Sequence, residues 1–263
     1  MQPVPQAPAT LVAPAAWRTI DFISDLHLAE DTPHAFDAWR AYLSETPADA
    51  VLILGDLFEA WVGDDARLEG FEARGAAVLA QAASHRALGF MAGNRDFLLG
   101  SRMLEACGMF ELADPTVLSA FGERVLLTHG DAMCIDDAEY QSFRRVVRSP
   151  TWQRDFLARP LDERRAMARA LRAESEKRKV PGAPWYDVDR DAALEAMRSA
   201  ATPTMIHGHT HRPASEALDA GHRRHVLSDW DIDSDAAPRA EVLRWQADGF
   251  VRLGLSDAVS PAR

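Results

Sequence analysis

The chain has 263 residues, 47% of them hydrophobic, and a formal charge of −11 with histidine neutral. That is enough apolar mass for one large domain or two small ones. The acidic balance excludes a general nucleic-acid binder, which presents a basic surface to phosphates. Two cysteines, Cys107 and Cys134, without CxxC spacing exclude a disulfide scaffold; both are expected as buried thiols in a reducing cytosol.

The first 16 residues, MQPVPQAPATLVAPAA, are rich in Pro and Ala and lack both a basic n-region and an apolar h-region. They are expected as a disordered tail, not a signal peptide. No stretch approaches the roughly 20 apolar residues of a transmembrane helix. TIDFIS (19–24) predicts a strand ending in a polar loop, and AFDAWRAYLSE (35–45) has helical spacing. AVLILG (50–55) is a continuous apolar run, as in a strand covered on both faces. FEARGAAVLAQAASH (71–85) predicts a helix, ALGFMAG (87–93) a third strand, and LLGSRMLEACG (98–108) a helix closed by a glycine. TVLSA and ERVLLTHG predict paired strands. Residues 136–200 are helical in pattern, punctuated by Pro150, Pro160, Pro181 and Pro184. TPTMIHG, HRRHVLSDW, RAEVLRW and GFVRLGL then predict closing strands. Alternating strands and helices give an α/β layered core carrying a helical insertion.

Each strand in this series runs into a polar end: SDLHL with Asp25 and His27, LGDLFEAW with Asp56, GNRDF with Asn94, Arg95 and Asp96, THGD with His129 and Asp131, and HGHTH with His207, His209 and His211. Ligands of open α/β sheets bind beyond the carboxyl ends of strands. Asp25, His27, Asp56, Asn94, His129, His209 and His211 combine carboxylate, amide and imidazole donors, a mixture suited to two divalent cations sharing a bridging Asp. Two such cations clamp the attacking and leaving oxygens of a phosphoryl displacement. Gly55, Gly93, Gly130 and Gly208 sit beside the ligands, where the backbone must approach closely.

Taken in order, D-x-H, GD, GN-x-D, H-G and G-H-x-H resemble the calcineurin-like metallophosphoesterases, a likeness that implies a four-layer α/β/β/α sandwich with a two-metal hydrolytic site. Arg95 stands where that family usually has a histidine; always charged, it binds phosphate oxygens and spreads transition-state charge. The longer strings ILGDLFEAWVGDD, GNRDFLLG, HGDAMCIDDAEYQSFR and IHGHTHRPA resemble the UDP-2,3-diacylglucosamine pyrophosphatases of the lipid A pathway. That resemblance covers about residues 18–214 and implies Mn²⁺ dependence, two ions per chain, with a UDP-linked diacyl sugar cleaved to UMP and the sugar 1-phosphate. It places Asp25, His27, Asp56 and His211 on one metal, and Asp56, Asn94, His129 and His209 on the other. It gives substrate contacts to Asn94, Arg95, Asp137, Ser175 and His209. His207 is expected behind the metal ligands. The family's Asn and Lys after Ser175 are absent, and Lys179 is expected to supply the cation. The tail after Arg223 is only loosely comparable. The domain is expected over 17–255, with a short tail at 256–263.

Residues 144–179 hold twelve Lys or Arg against five Asp or Glu, so an acidic chain concentrates positive charge in one segment. Ala166, Met167, Ala170 and Leu171 are expected on one apolar helix face with arginines elsewhere. Such a segment suits a diphosphate joined to acyl chains and an anionic membrane surface, and it is expected to cap the metal rim. The resulting expectation is a monomer attached peripherally to the cytoplasmic face of the inner membrane. Two other readings stay open. One is a dinuclear phosphoesterase of soluble nucleotides, against which the basic apolar insertion argues. The other is a non-catalytic scaffold, against which the complete ligand set argues.

Overall fold

A computed structural model of the chain describes residues 8–178, 186–234 and 237–260, with the backbone alone for 174–178. The first half runs β1 (Ala9–Val12), β2 (Ile20–Ile23), α1 (Pro33–Glu45), β3 (Ala50–Leu54), α2 (Gly70–Ala83), β4 (Ala87–Met91), α3 (Ser101–Cys107), β5 (Phe110–Leu112), β6 (Thr116–Ala120) and β7 (Glu123–Leu127). Four helices follow: α4 (Ala138–Val147), α5 (Pro150–Leu157), α6 (Leu161–Arg178) and α7 (Arg190–Ser199). The chain closes with β8 (Thr204–His207), β9 (Ala214–Ala217), β10 (Arg223–Val226), β11 (Glu241–Gln246), β12 (Gly249–Gly254) and α8 (Leu255–Ala258).

The strands form two six-stranded sheets, ordered β12-β11-β2-β3-β4-β5 and β1-β6-β7-β8-β10-β9. Side-chain alternation sorts β2 between two cores. Ile20 and Phe22 point between the sheets, where they meet Leu52, Leu54, Leu118, Leu127, Ile206 and Trp245. Ile23 points outward with Val51 and Ile53, under Trp39, Tyr42, Leu79 and Met103 of α1, α2 and α3. The far face of the second sheet is covered by Ala193, Leu194 and Met197 of α7, packed on Val117, Leu126 and Met205. These are the four layers of the expected α/β/β/α sandwich. β2, β3 and β4 run parallel, as do β7 and β8, so their carboxyl ends share a rim.

Local signals set the helix ends. Pro150 opens α5 behind Ser149, whose hydroxyl accepts the Trp152 N–H. Asp137 and Asp189 cap α4 and α7 in the same way. Gly108 ends α3 at φ 69°, in the left-handed region glycine favours.

Three boundaries differ from expectation. Within the Pro- and Ala-rich start expected as a disordered tail, Ala9–Val12, a proline-free stretch, adds a parallel edge strand to β6. In the tail expected from residue 256, the described residues begin within the short helix α8, where Ala258 is fully buried and its carbonyl accepts Arg244. The insertion expected over 136–200 is narrower, because α7 is itself a layer of the sandwich.

The inward face of α6 also differs. It carries Leu161, Arg164, Arg165, Ala168 and Arg172, while Ala166, Ala170 and Leu171 are exposed. The acidic wall opposite draws the guanidiniums in. Arg164 binds Asp65 and the Val62 carbonyl, and Arg165 binds Glu69 at 2.6 Å.

Candidate metal centre and its cleft

The rim residues are held in an unusual backbone shape. Asp25, His27, Asp56, His209 and His211 all have φ between 48° and 68°. Left-handed non-glycine residues are uncommon and gather at functional sites. Only Phe121 and Ala201 share the feature among the described residues. Glycines make the turns pack: a Cβ on Gly93 would collide with Asp56, and one on Gly208 with Asp25 and Ser24.

All seven expected ligands meet here. Asp25, His27 and His211 offer atoms within 4.8 Å of one another, as do Asp25, Asp56 and His129. Nε2 of His27 lies 3.1 Å from Nε2 of His211. Oδ2 of Asp56 stands between the groups, 3.9 Å from Nε2 of His27 and 3.7 Å from Nε2 of His129. Oδ1 of Asn94 is 3.0 Å from His129 Nε2 and 2.8 Å from His209 Nδ1. In this geometry Asp25 reaches both groups, so Asp56 is not the sole link between them.

Neighbours aim the donors. Nδ1 of His129 donates to the Leu54 carbonyl at 2.9 Å, leaving Nε2 to face the rim. Nδ1 of His27 sits 3.1 Å from Glu59, and Nδ1 of His211 3.6 Å from Asp229, which Arg239 holds in turn. Asp25 accepts from Ser24 Oγ and the His209 N–H. Asp96 is fully buried and accepts the main-chain N–H groups of Asp56, Leu57 and Gly93, tying two strand ends together. Burial and the Asp56 charge push its carboxyl up to about 6.

The electrostatics call for cations. Burial opposes a charge on His129, yet Asp56, Asp25 and Asp131 together raise its pKa to about 9. His209 goes the other way, to about 4, through burial and the neighbouring His129 charge. His207 lies fully buried behind them, Nδ1 2.8 Å from the Gly208 carbonyl, and burial lowers it to about 4.

The insertion stands over this rim. Arg148, at the C-cap of α4, donates to the Gly93 carbonyl at 2.7 Å and lies over the Phe97 ring. Tyr140 and Arg144 both donate to buried Asp131, and the Tyr140 ring is 5.9 Å from His209. Between insertion and sandwich lies a cleft of about 1660 Å³. Asn94, Arg95 and Glu59 line it together with Trp61, Phe71, Phe97, Phe143, Trp152 and Phe156, and charged side chains such as Glu72, Arg165 and Arg172 share the wall. Asp137 lines it too, although its carboxylate also caps α4. The side chain of Ser175 and all of Lys179 lie outside the described residues.

The family model of calcineurin-like phosphoesterases matches residues 18–213. A Chromobacterium violaceum protein named UDP-2,3-diacylglucosamine hydrolase is 46% identical over 220 residues, 80% of this chain and 90% of that one. Proteins of the same name from Aromatoleum aromaticum and Bordetella pertussis are 44% and 41% identical, over 87% and 86% of this chain and 93% and 91% of theirs. The chain belongs to the calcineurin-like phosphoesterases, in the UDP-2,3-diacylglucosamine hydrolase family.

The site of this metal-dependent hydrolase also contains residues to which no role was assigned from local patterns. Asp96, Asp131 and Asp229 orient the rim, and Glu59 touches His27. Asp96 and Asp131 stood in the quoted motifs, but their partners come from other strand ends and from α4, which no local pattern reveals.

Proposed function

We propose that this hydrolase cleaves the diphosphate of UDP-2,3-diacylglucosamine, giving UMP and 2,3-diacylglucosamine 1-phosphate. The observation that carries the reading is the cleft: aromatic side chains of the insertion and the sandwich line one space together with Asn94 and Arg95, beside the metal-ligand rim. Pockets for drug-sized ligands span roughly 300–1,000 Å³, and a larger, aromatic-lined cleft suits two acyl chains.

The donor set fits two divalent cations. Three buried carboxylates raise His129 against its burial, and its Nδ1 is engaged by the Leu54 carbonyl so that Nε2 faces inward. Asp25, His27, Asp56 and His211 would hold one ion, and Asp56, Asn94, His129 and His209 the other. Mixed oxygen and imidazole donors suit Mn²⁺. Bound there, the pair would acidify water and offset charge on the phosphoryl oxygens.

The chain's own residues do the rest. Asn94 and Arg95 hold the phosphate at the mouth of the cleft, and Arg95 spreads charge in the transition state. Asp137, Ser175, Lys179 and His209 complete the substrate contacts. Water adds to the phosphorus nearer uridine, and the bond from that phosphorus to the bridging oxygen breaks. UMP keeps the new oxygen; the sugar phosphate departs with the bridging one.

Phe143, Val146, Leu157 and Leu171 are exposed on the basic insertion, which supports peripheral docking on an anionic membrane surface. No described helix is long and apolar enough to cross a membrane. The reading places a monomer at the cytoplasmic face of the inner membrane.

The test is hydrolysis by metal-stripped protein, with and without Mn²⁺, against soluble nucleotides. Mn²⁺-dependent UMP release from the lipid substrate alone is the expected result. Turnover of soluble nucleotides alone would reassign the cleft.

A further inference from the structure

Glu59 lies just past the second strand end, in LGDLFEAW, and its side chain is only 12% exposed. One oxygen, Oε2, is 3.1 Å from Nδ1 of His27. The other, Oε1, is 3.3 Å from a guanidinium nitrogen of Arg95 and 3.3 Å from Nε of Arg172. One carboxylate thus touches a candidate metal ligand, the arginine at the cleft mouth, and helix α6.

The rest of α6 is anchored elsewhere. Arg164 and Arg165 bind Asp65, Glu69 and Glu72, one turn and more before Arg172. Among the described side chains of the far half of α6, Arg172 is the one paired with Glu59, with Asp31 a weaker partner at 3.7 Å. Ser175 lies one turn further along the same helix.

We propose that Glu59 is a positioning residue that couples the seating of α6 over the cleft to the orientation of His27 and Arg95. The coupling rests on the two-cation reading above. A cation held by Nε2 of His27 would leave the ring proton on Nδ1, which stands 3.1 Å from Oε2 of Glu59. A carboxylate fixed at one oxygen presents the other to Arg95 and Arg172 in a single geometry. Linkage is reciprocal: what the cation does to α6, the seating of α6 does to the cation.

Hydrogen exchange on the full chain, titrated with Mn²⁺ alone, tests this without turnover. In the wild type, Mn²⁺ should slow exchange several-fold at the amides of 169–173 and leave those of 163–167 unchanged. In Glu59→Gln, close in shape, the 169–173 response should vanish and Mn²⁺ affinity should fall about 10–100-fold, as for other partners of metal-bound imidazoles. Arg172→Met should lose the same response from the other side, and the double variant should lose nothing further. A response that persists in Glu59→Gln, or losses that add in the double variant, would overturn the coupling. So would a wild type that binds Mn²⁺ with no change in α6. A wild type that binds no Mn²⁺ overturns both readings. One that shows the coupling without cleaving the lipid substrate overturns the proposed reaction alone.

Discussion

Oδ1 of Asp56 accepts the main-chain N–H of Arg95 at 2.8 Å, so the carboxylate between the two ligand groups also fixes the loop that carries this arginine. Asp96 reinforces the tie by accepting from the backbone of both loops. Asp56→Ala removes a shared ligand and this brace together, and nearly all turnover and bound metal should be lost. Asp96→Asn keeps one acceptor oxygen but turns an amide toward the N–H donors. It should cost about 1–3 kcal/mol of stability, read by urea unfolding, with a smaller loss of metal affinity read by calorimetry.

The rim was legible because the chemistry stands out locally. A buried apolar strand such as AVLIL that ends in Gly-Asp, or one that ends in Gly-His-Thr-His, has few structural uses. Their order along the chain then placed them on one edge. What stayed hidden depends on partners distant in sequence. The arginines of α6 read as a solvated face until the acidic wall of Asp65, Glu69 and Glu72 is placed against them. Ala9–Val12 reads as part of a tail because its only strand partner, β6, lies more than a hundred residues on. Glu59 sits inside a quoted motif, but nothing near it reports His27 or Arg172.

The direction of attack is testable by oxygen label. Asn94 and Arg95 line the cleft beside the rim, and the proposed function sets the diacyl sugar in the cleft and the uridine side beyond the rim. Hydrolysis in heavy-oxygen water should place the label in UMP, read by mass spectrometry of both products. Label in the sugar phosphate would mean attack on the other phosphorus.

Asp21 and Arg244 form a buried pair at 2.7 and 2.8 Å, on the outer face of the first sheet. Tyr42 and Thr46 also donate to Asp21, and Arg244 reaches the Ala258 carbonyl. The pair therefore joins α1, β2, β11 and the chain's last turn. Asp21→Ala strands a buried guanidinium and should cost about 3–5 kcal/mol. At roughly 2–4 °C per kcal/mol for a domain of about this size, Tm falls clearly. Replacing both residues by Leu and Met should recover much of the loss, since no uncompensated charge remains. Calorimetry of the three variants decides the point.

His225 gives a pH dependence away from the metal rim. The ring packs on Phe250 with centroids 4.7 Å apart, and Nδ1 is 2.8 Å from the Ser215 hydroxyl. Burial, then the charges of Arg223 and Arg252, lower its pKa from 6.5 to about 4. The folded ring therefore stays neutral where the unfolded chain already takes up a proton. Stability from this group is fully present above 6.5 and is lost as pH falls toward 4, by an amount on the order of 2–3 kcal/mol. Urea unfolding at steps between pH 7 and 4 should show the wild type weakening more steeply than His225→Gln, the gap between them changing by that amount. His207 and His209 titrate in the same range in both proteins, so the difference isolates His225. Parallel curves would mean that the charged ring is tolerated beside Arg223 and Arg252.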